Sequence, residues 1–335
     1  MFRQRLTQLS ALIAMCLFMS STSSANAEAV IHIDGSSTVY PITKTAADKF
    51  AISKRNAITA SIKVSGSSGG FQKFCRGEID IVNASRPILK NEIKECKHSQ
   101  VQYMEIPVAF DALTVAVNPE NRWATAMTVA ELKKIWEPSA HGRITHWNHI
   151  NPAWPNESIK LYGADVDSGT YDYFTEAIIG KARTSRHDFK QFDNDVLLVE
   201  EVANHKNGLG FFGFAYYIDN QNKVAAVAVN NGQGAILPSV ETVENGSYQP
   251  LSRPIFIYVN MKSAEKPEVK ELVEFYALLI VKEAKFFPLP PRAYATMLEH
   301  FNKKRVGTVF DGISAVGLTI DDLIRRQGRL EFEHH

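Results

Sequence analysis

Three short segments of this sequence combine glycine with serine or threonine: Gly35-Ser36-Ser37-Thr38, Gly66-Ser67-Ser68-Gly69-Gly70 and Asp167-Ser168-Gly169-Thr170. Each follows a strand-like run and opens a helix-like one. The first N–H groups of a helix have no partner within it, and the helix dipole is positive there. Hydroxyl groups add donors, and glycine lets the backbone come close to a ligand. One such helix start can bind an oxyanion, and three aimed at one point would replace its hydration shell. Taken singly, each Ser or Thr reads more simply as an N-cap. The argument therefore rests on three copies spread along the chain.

Other chemistries have weaker signals. Residues 66–70 match G-x-S-x-G, the nucleophile elbow of serine hydrolases, and sit between a strand and a helix. Such an enzyme needs an acid and a histidine downstream. His187, His205 and His300 are the candidates, and none stands in a distinctive context. There is no P-loop, GxGxxG or HExxH. His141, His146 and His149 fall in a loop rich in Gly, Asn and Pro, which reads as solvated surface rather than a metal site. No catalytic residue, metal or cofactor is expected.

The elements that must position the three segments alternate strand and helix, the mark of a parallel α/β sheet. Val30–Ile33, Ala60–Val64 and Ile79–Val82 read as strands, with helices over Val39–Ala51 and from Phe71 to Arg76. Two long β-type runs follow, MEIPVAFDALTVAVN from Met104 and PIFIYVNM from Pro254. Between them lie a helix over Thr128–Trp136, a strand over Ile159–Tyr162, helices over Ser168–Ile179 and Val196–Ala203, and a strand over Val224–Val229. Pro267–Glu283 reads as an amphipathic helix with proline at its start. Two long crossings around a middle segment imply a discontinuous first lobe, 28–115 plus 256–335, and an inserted second lobe, 116–255.

A chain of 335 residues is too long for one ordinary core, which agrees with two lobes. Its 37 basic and 36 acidic side chains nearly balance, so no basic surplus points to nucleic acid. Arg3 and Arg5, the apolar stretch Leu9–Met19 and Ala25-Asn26-Ala27 make a secretion signal with cleavage expected before Glu28. That stretch is too short to span a bilayer, and Met15 before Cys16 does not suit lipidation. Removal of residues 1–27 leaves Cys75 and Cys96, which in an exported chain read as one disulfide closing a small local loop. Glu333-His334-His335 is read either as a native tail or as an added remnant, and its histidines are left out of any metal argument.

The segments IDGSSTVYPIT, SGSSGGFQKFCRGEIDIVNASRPI, KIWEP, LYGADVDSGTYDYFTEAI, GFFGFAYY and PLSRPIFIYV together resemble the phosphate-binding proteins of bacterial phosphate ABC transporters. The likeness runs from about Ile31 to the last helix. It implies a type II periplasmic binding-protein fold: two α/β lobes, each a mixed and mostly parallel sheet flanked by helices, with the ligand in the cleft between them. It implies capture of inorganic phosphate in the periplasm, hinge closure and delivery to permease subunits. No nucleic-acid partner is expected, and the chain is taken as a monomer. The same fold would serve a sensor or a surface adhesin. The family's ligand contacts fall here on Ser37, Thr38, Val39, Ser67, Ser168, Gly169 and Thr170. In the best-known branch an aspartate follows the serine of the third strand, where this chain has Arg86. That branch has an arginine four residues before its S-G-T serine, where this chain has Ala164, and a glycine where this chain has Asp167. The two charges have changed places. Phosphate near neutral pH keeps a proton that a carboxylate can accept, while a guanidinium can hold its anionic oxygens. Sulfate offers no proton and would be repelled. Asp167 is thus expected to accept the proton and Arg86 to anchor the charge, the simpler alternative being a salt bridge between the two.

Overall fold

A computed structural model of the chain describes residues 29–283, 287–313 and 317–329. The expected secretion signal and the C-terminal Glu-His-His lie outside the described residues. Strands β1 (Ala29–Gly35), β2 (Ile58–Ile62) and β3 (Ile81–Ala84) form the parallel part of the first lobe, with β1 in the middle. Helix α1 (Tyr40–Ser53) starts on Pro41, whose fixed φ suits a first turn, and buries Ile42, Ala46 and Phe50 at four-residue spacing. Helix α2 begins at Gly66 and runs to Cys75, so it includes the whole Gly/Ser segment; the composition of that segment hides a helix from propensity. Cys75 is disulfide-bonded to Cys96 on α3 (Lys90–His98), a helix that the sequence expectations above do not include.

Strand β4 (Tyr103–Val117) is buried along all 15 residues. From Tyr103 to Ala112 it pairs antiparallel with β12 (Ser252–Asn260); from Leu113 onward its partner is β8 (Gly208–Gly213). One strand thus carries the sheet of the first lobe into that of the second. Strand β12 returns beside the first ten residues of β4 and on to β3, so the crossing into the second sheet belongs to β4 alone. The strand order along the sheet is β2-β1-β3-β12-β4-β8, then β6 (Lys160–Ala164) and β7 (Lys190–Phe192).

In the second lobe β6 runs parallel to both β7 and β8. Helices α5 (Gly169–Ile179), α6 (Asp195–Asn204) and α7 (Phe214–Asp219) therefore all start at the carboxyl edge of these strands, where open α/β sheets bind ligands. The core beneath them is aromatic: Trp136, at the end of α4 (Val129–Trp136), meets Phe174, Phe189 and Phe211 edge-on. The expected strand Val224–Val229 is instead two pieces, β9 (Ala225–Ala226) against β4 and β10 (Ala228–Asn230) against β5 (Ala126–Thr128), because the chain changes partners at Val227. Strand β8, GLGFFG, has no signal in the sequence: three of its six residues are glycine, yet all are buried. No described helix is long and apolar enough to cross a membrane.

Candidate functional site: three helix starts around a buried arginine

The first segment leaves β1 through Gly35, at φ +134°, where a Cβ would lie 2.1 Å from the Asn83 carbonyl oxygen. Only glycine fits there. Ser36 N–H then donates to Asn83 O at 2.9 Å, and Thr38 N–H to Ser36 Oγ at 3.2 Å. Buried Asp34 ties this loop to the next: it accepts from Gly35 N–H and from Ser65 Oγ, and pairs with Lys73 at 2.5 Å. Ser37 and Thr38 are half-buried, and Val39 is buried.

The second and third segments face one another across the lobes. Ser67 is fully buried; its Oγ accepts from Ser85 N–H at 3.1 Å and lies 3.2 Å from Ser85 Oγ. Ser168 caps α5, accepting from Tyr171 N–H at 3.0 Å. A Cβ on Gly169 would stand 1.7 Å from Ser85 Oγ and 2.8 Å from Ser67 Oγ, and one on Gly66 would stand 2.1 Å from Asp167 O. The helix start of the second lobe therefore packs directly on the serines of the first, with glycine on each side to allow it.

At the meeting point stands Arg253 of β12, with no exposed surface. Its Nη1 donates to Gly169 O at 2.7 Å, and its Nη2 to Thr38 Oγ1 at 3.1 Å and Thr170 Oγ1 at 3.3 Å. The two threonine hydroxyls are 3.1 Å apart. Asp111 of β4 accepts from Nε at 3.2 Å and Nη2 at 3.0 Å, and Tyr173 offers its ring at 5.2 Å. One guanidinium thus joins both lobes and both central strands. Burial pushes the Asp111 carboxyl up, and Arg253 opposes that push. Half-buried Asp195, the first residue of α6, is pushed up to about 7 by burial and then by the charge of Asp111.

Arg86 is placed differently from Arg253. It is buried and held by both oxygens of Glu92, at 2.9 and 2.7 Å, while its Nη2 also donates to Ser68 Oγ at 2.9 Å. The second-lobe acid beside it is Asp172, with Oδ2 at 3.5 Å from Nε, and no ion pair joins Arg86 to Asp167. Asp167 is exposed, its N–H donating to Asp165 Oδ1. The structure thus gathers Thr38, Ser67, Gly169 and Thr170 and leaves the Asp167 carboxylate outside. Sequence reasoning missed Arg253 and Asp111. Their signal was a basic charge on one long, mostly apolar strand and an acidic charge on the other, charges that are costly to bury unless paired.

The PBP superfamily domain matches residues 20–278. Protein SphX of Synechocystis is 46% identical over 95% of this chain and 95% of its own length. The phosphate-binding protein PstS of Staphylococcus saprophyticus is 34% identical, over 85% of this chain and 88% of its own. A crystal structure of a possible phosphate-binding protein from Planctomyces limnophilus matches 82% of this chain and 98% of its own, at 41% identity and a TM-score of 0.66. The chain belongs to the PBP superfamily and is a relative, over most of its length, of the phosphate-binding proteins.

Proposed function

We propose that this chain captures inorganic phosphate between its lobes and hands it to the permease of an ABC transporter. The observation that carries this reading is the convergence of two helix starts from different lobes on Arg253. The donors in this reading are Ser37, Thr38, Val39, Ser67, Ser168, Gly169 and Thr170. Arg253 takes the anchoring role assigned above to Arg86, because its guanidinium reaches Thr38, Gly169 and Thr170 from both lobes, whereas Arg86 touches only Ser68 of the three segments. The proton acceptor passes from exposed Asp167 to buried Asp111, the carboxylate that touches the anchoring cation. A proton on the anion turns that carboxylate from a repulsive neighbour into a partner, which separates phosphate from sulfate. The lobes in this reading are 28–115 with 256–335, and 116–255. The partner change on β4 between Ala112 and Leu113 supports that division. Residues 1–27 would direct the chain to the periplasm.

The reading is of a binding protein and not of a hydrolase. Ser68, the serine of the G-x-S-x-G match, accepts from Arg86 and donates to Asp172 Oδ2 at 3.3 Å. A nucleophilic serine is activated by an adjacent base that takes its proton. Among the described residues no histidine hydrogen-bonds to Ser68. Calorimetric titration with phosphate, sulfate and molybdate tests the function. Phosphate should bind and sulfate should not. Asp111→Asn should narrow the gap at least tenfold, and Asp167→Asn should leave it intact. Sulfate or molybdate binding as tightly as phosphate would refute the reading.

A further inference from the structure

Outside the group around Arg253, four charged side chains line up across the lobe boundary. Glu92 and Arg86 form a bidentate pair within the first lobe. Asp172 and Arg183 form a pair within the second, Nε to Oδ1 at 3.0 Å and Nη2 to Oδ2 at 3.4 Å. The two pairs meet at Arg86 Nε and Asp172 Oδ2, 3.5 Å apart, where Nε has no hydrogen-bond acceptor. Ser68 bridges the same gap, accepting from Arg86 and donating to Asp172. Asp172 is only 1% exposed, although it sits on the first turn of a helix, because the first lobe covers it.

We propose that Asp172 is a positioning residue of the binding site, acting by holding the lobes shut rather than by touching the anion. The proposal rests on the phosphate-binding reading only for its ligand. Each lobe neutralises its own charge, so opening strands no bare ion. Closing adds a charge-assisted bond from Ser68 and a favourable Arg86–Asp172 contact. Both contacts are longer than an ideal hydrogen bond. Such a seam is strong enough to bias closure and weak enough to reopen, which a protein that must release its cargo needs. A ligand shifts a two-state equilibrium only by its preference for one state. Removing the seam therefore lowers apparent affinity in proportion to the closed fraction lost.

The test uses the mature protein with spin labels on cysteines replacing exposed Val64 and Val196, one on each lobe. Distances between the labels are recorded with and without phosphate, and phosphate dissociation is followed by stopped flow. Asp172→Asn should lengthen the mean distance without ligand and speed dissociation about tenfold, or about 1.4 kcal/mol. Association should change less than twofold. Ser68→Ala, a milder change in case Asp172→Asn does not fold, should lengthen the distance by less and speed dissociation about threefold. Unaltered distances and dissociation in folded Asp172→Asn would overturn the proposal. Wild-type protein that binds no phosphate would refute the function, while the ligand-free distances would still judge the seam.

Discussion

At the residue scale, the proposed site centres on Arg253 and Gly169. Removing one partner of a buried ion pair typically costs roughly 3–5 kcal/mol because the other charge is left bare. Arg253→Gln alone should therefore unfold part of the population. The double variant Arg253→Gln with Asp111→Asn keeps the shape without either charge. It should fold and lose at least a hundredfold in phosphate affinity by calorimetry. Gly169→Ala makes a different point. Alanine suits a helix start at least as well as glycine, so any loss comes from the contact between the lobes and not from the helix. Its Cβ would nevertheless strike Ser85 Oγ, and phosphate affinity should fall at least tenfold. Adding Ser85→Ala should recover part of that loss. Affinity unchanged in Gly169→Ala would mean that the lobes need not meet there. The glycine-rich segments were legible in the sequence because their composition has few other uses. Arg253 was not, because a single strand does not show which charge on another strand will face it.

At the element scale, β4 joins the lobes and also carries Glu105, a buried acid outside the cleft. Glu105 accepts from Tyr258 Oη at 2.7 Å, from Val309 N–H at 3.2 Å and from Thr308 Oγ1, so it holds the segment before α11 (Ile320–Arg329) onto the first lobe. Burial pushes its carboxyl up to about 7 from an ordinary value of 4.5, against the pull of those donors. Between those two values the folded chain keeps a proton that the unfolded chain has released. Stability from this group is therefore full below about pH 4.5 and is lost as pH rises towards 7. The loss has an upper limit on the order of 3 kcal/mol, from the width of that window. Melting temperatures of wild type and Glu105→Gln measured from pH 5 to 8 should diverge, with the wild type falling more steeply. Parallel curves would show that Glu105 is ionised throughout. The long strand itself was legible, because fifteen residues of unbroken β-type sequence have few other fates. The short glycine-rich strand β8 was not, since its burial comes from its neighbours β4 and β6 rather than from its own residues.

At the scale of the whole molecule, the order of strands and helices made two lobes legible, and the Gly/Ser segments fall where the two meet. What the sequence could not show is the contact between lobes. The Gly169–Ser85 approach, the Ser68 bridge and the Thr38–Thr170 contact each join residues more than eighty positions apart. They exist only once both lobes have formed, and they bring three separate helix starts together. Ligand binding should therefore stabilise the lobes together. A single cooperative melting transition should move upward with phosphate concentration, as expected for a ligand bound only by the folded state. The most direct measurement is a crystal structure grown with arsenate, a close analogue of phosphate in size and protonation whose arsenic atom is located by anomalous scattering. The arsenic should lie between the lobes, with its oxygens within hydrogen-bond reach of Thr38, Thr170, the Gly169 N–H and the Arg253 guanidinium. An arsenic site on Arg86, or away from the cleft, would contradict the central claim.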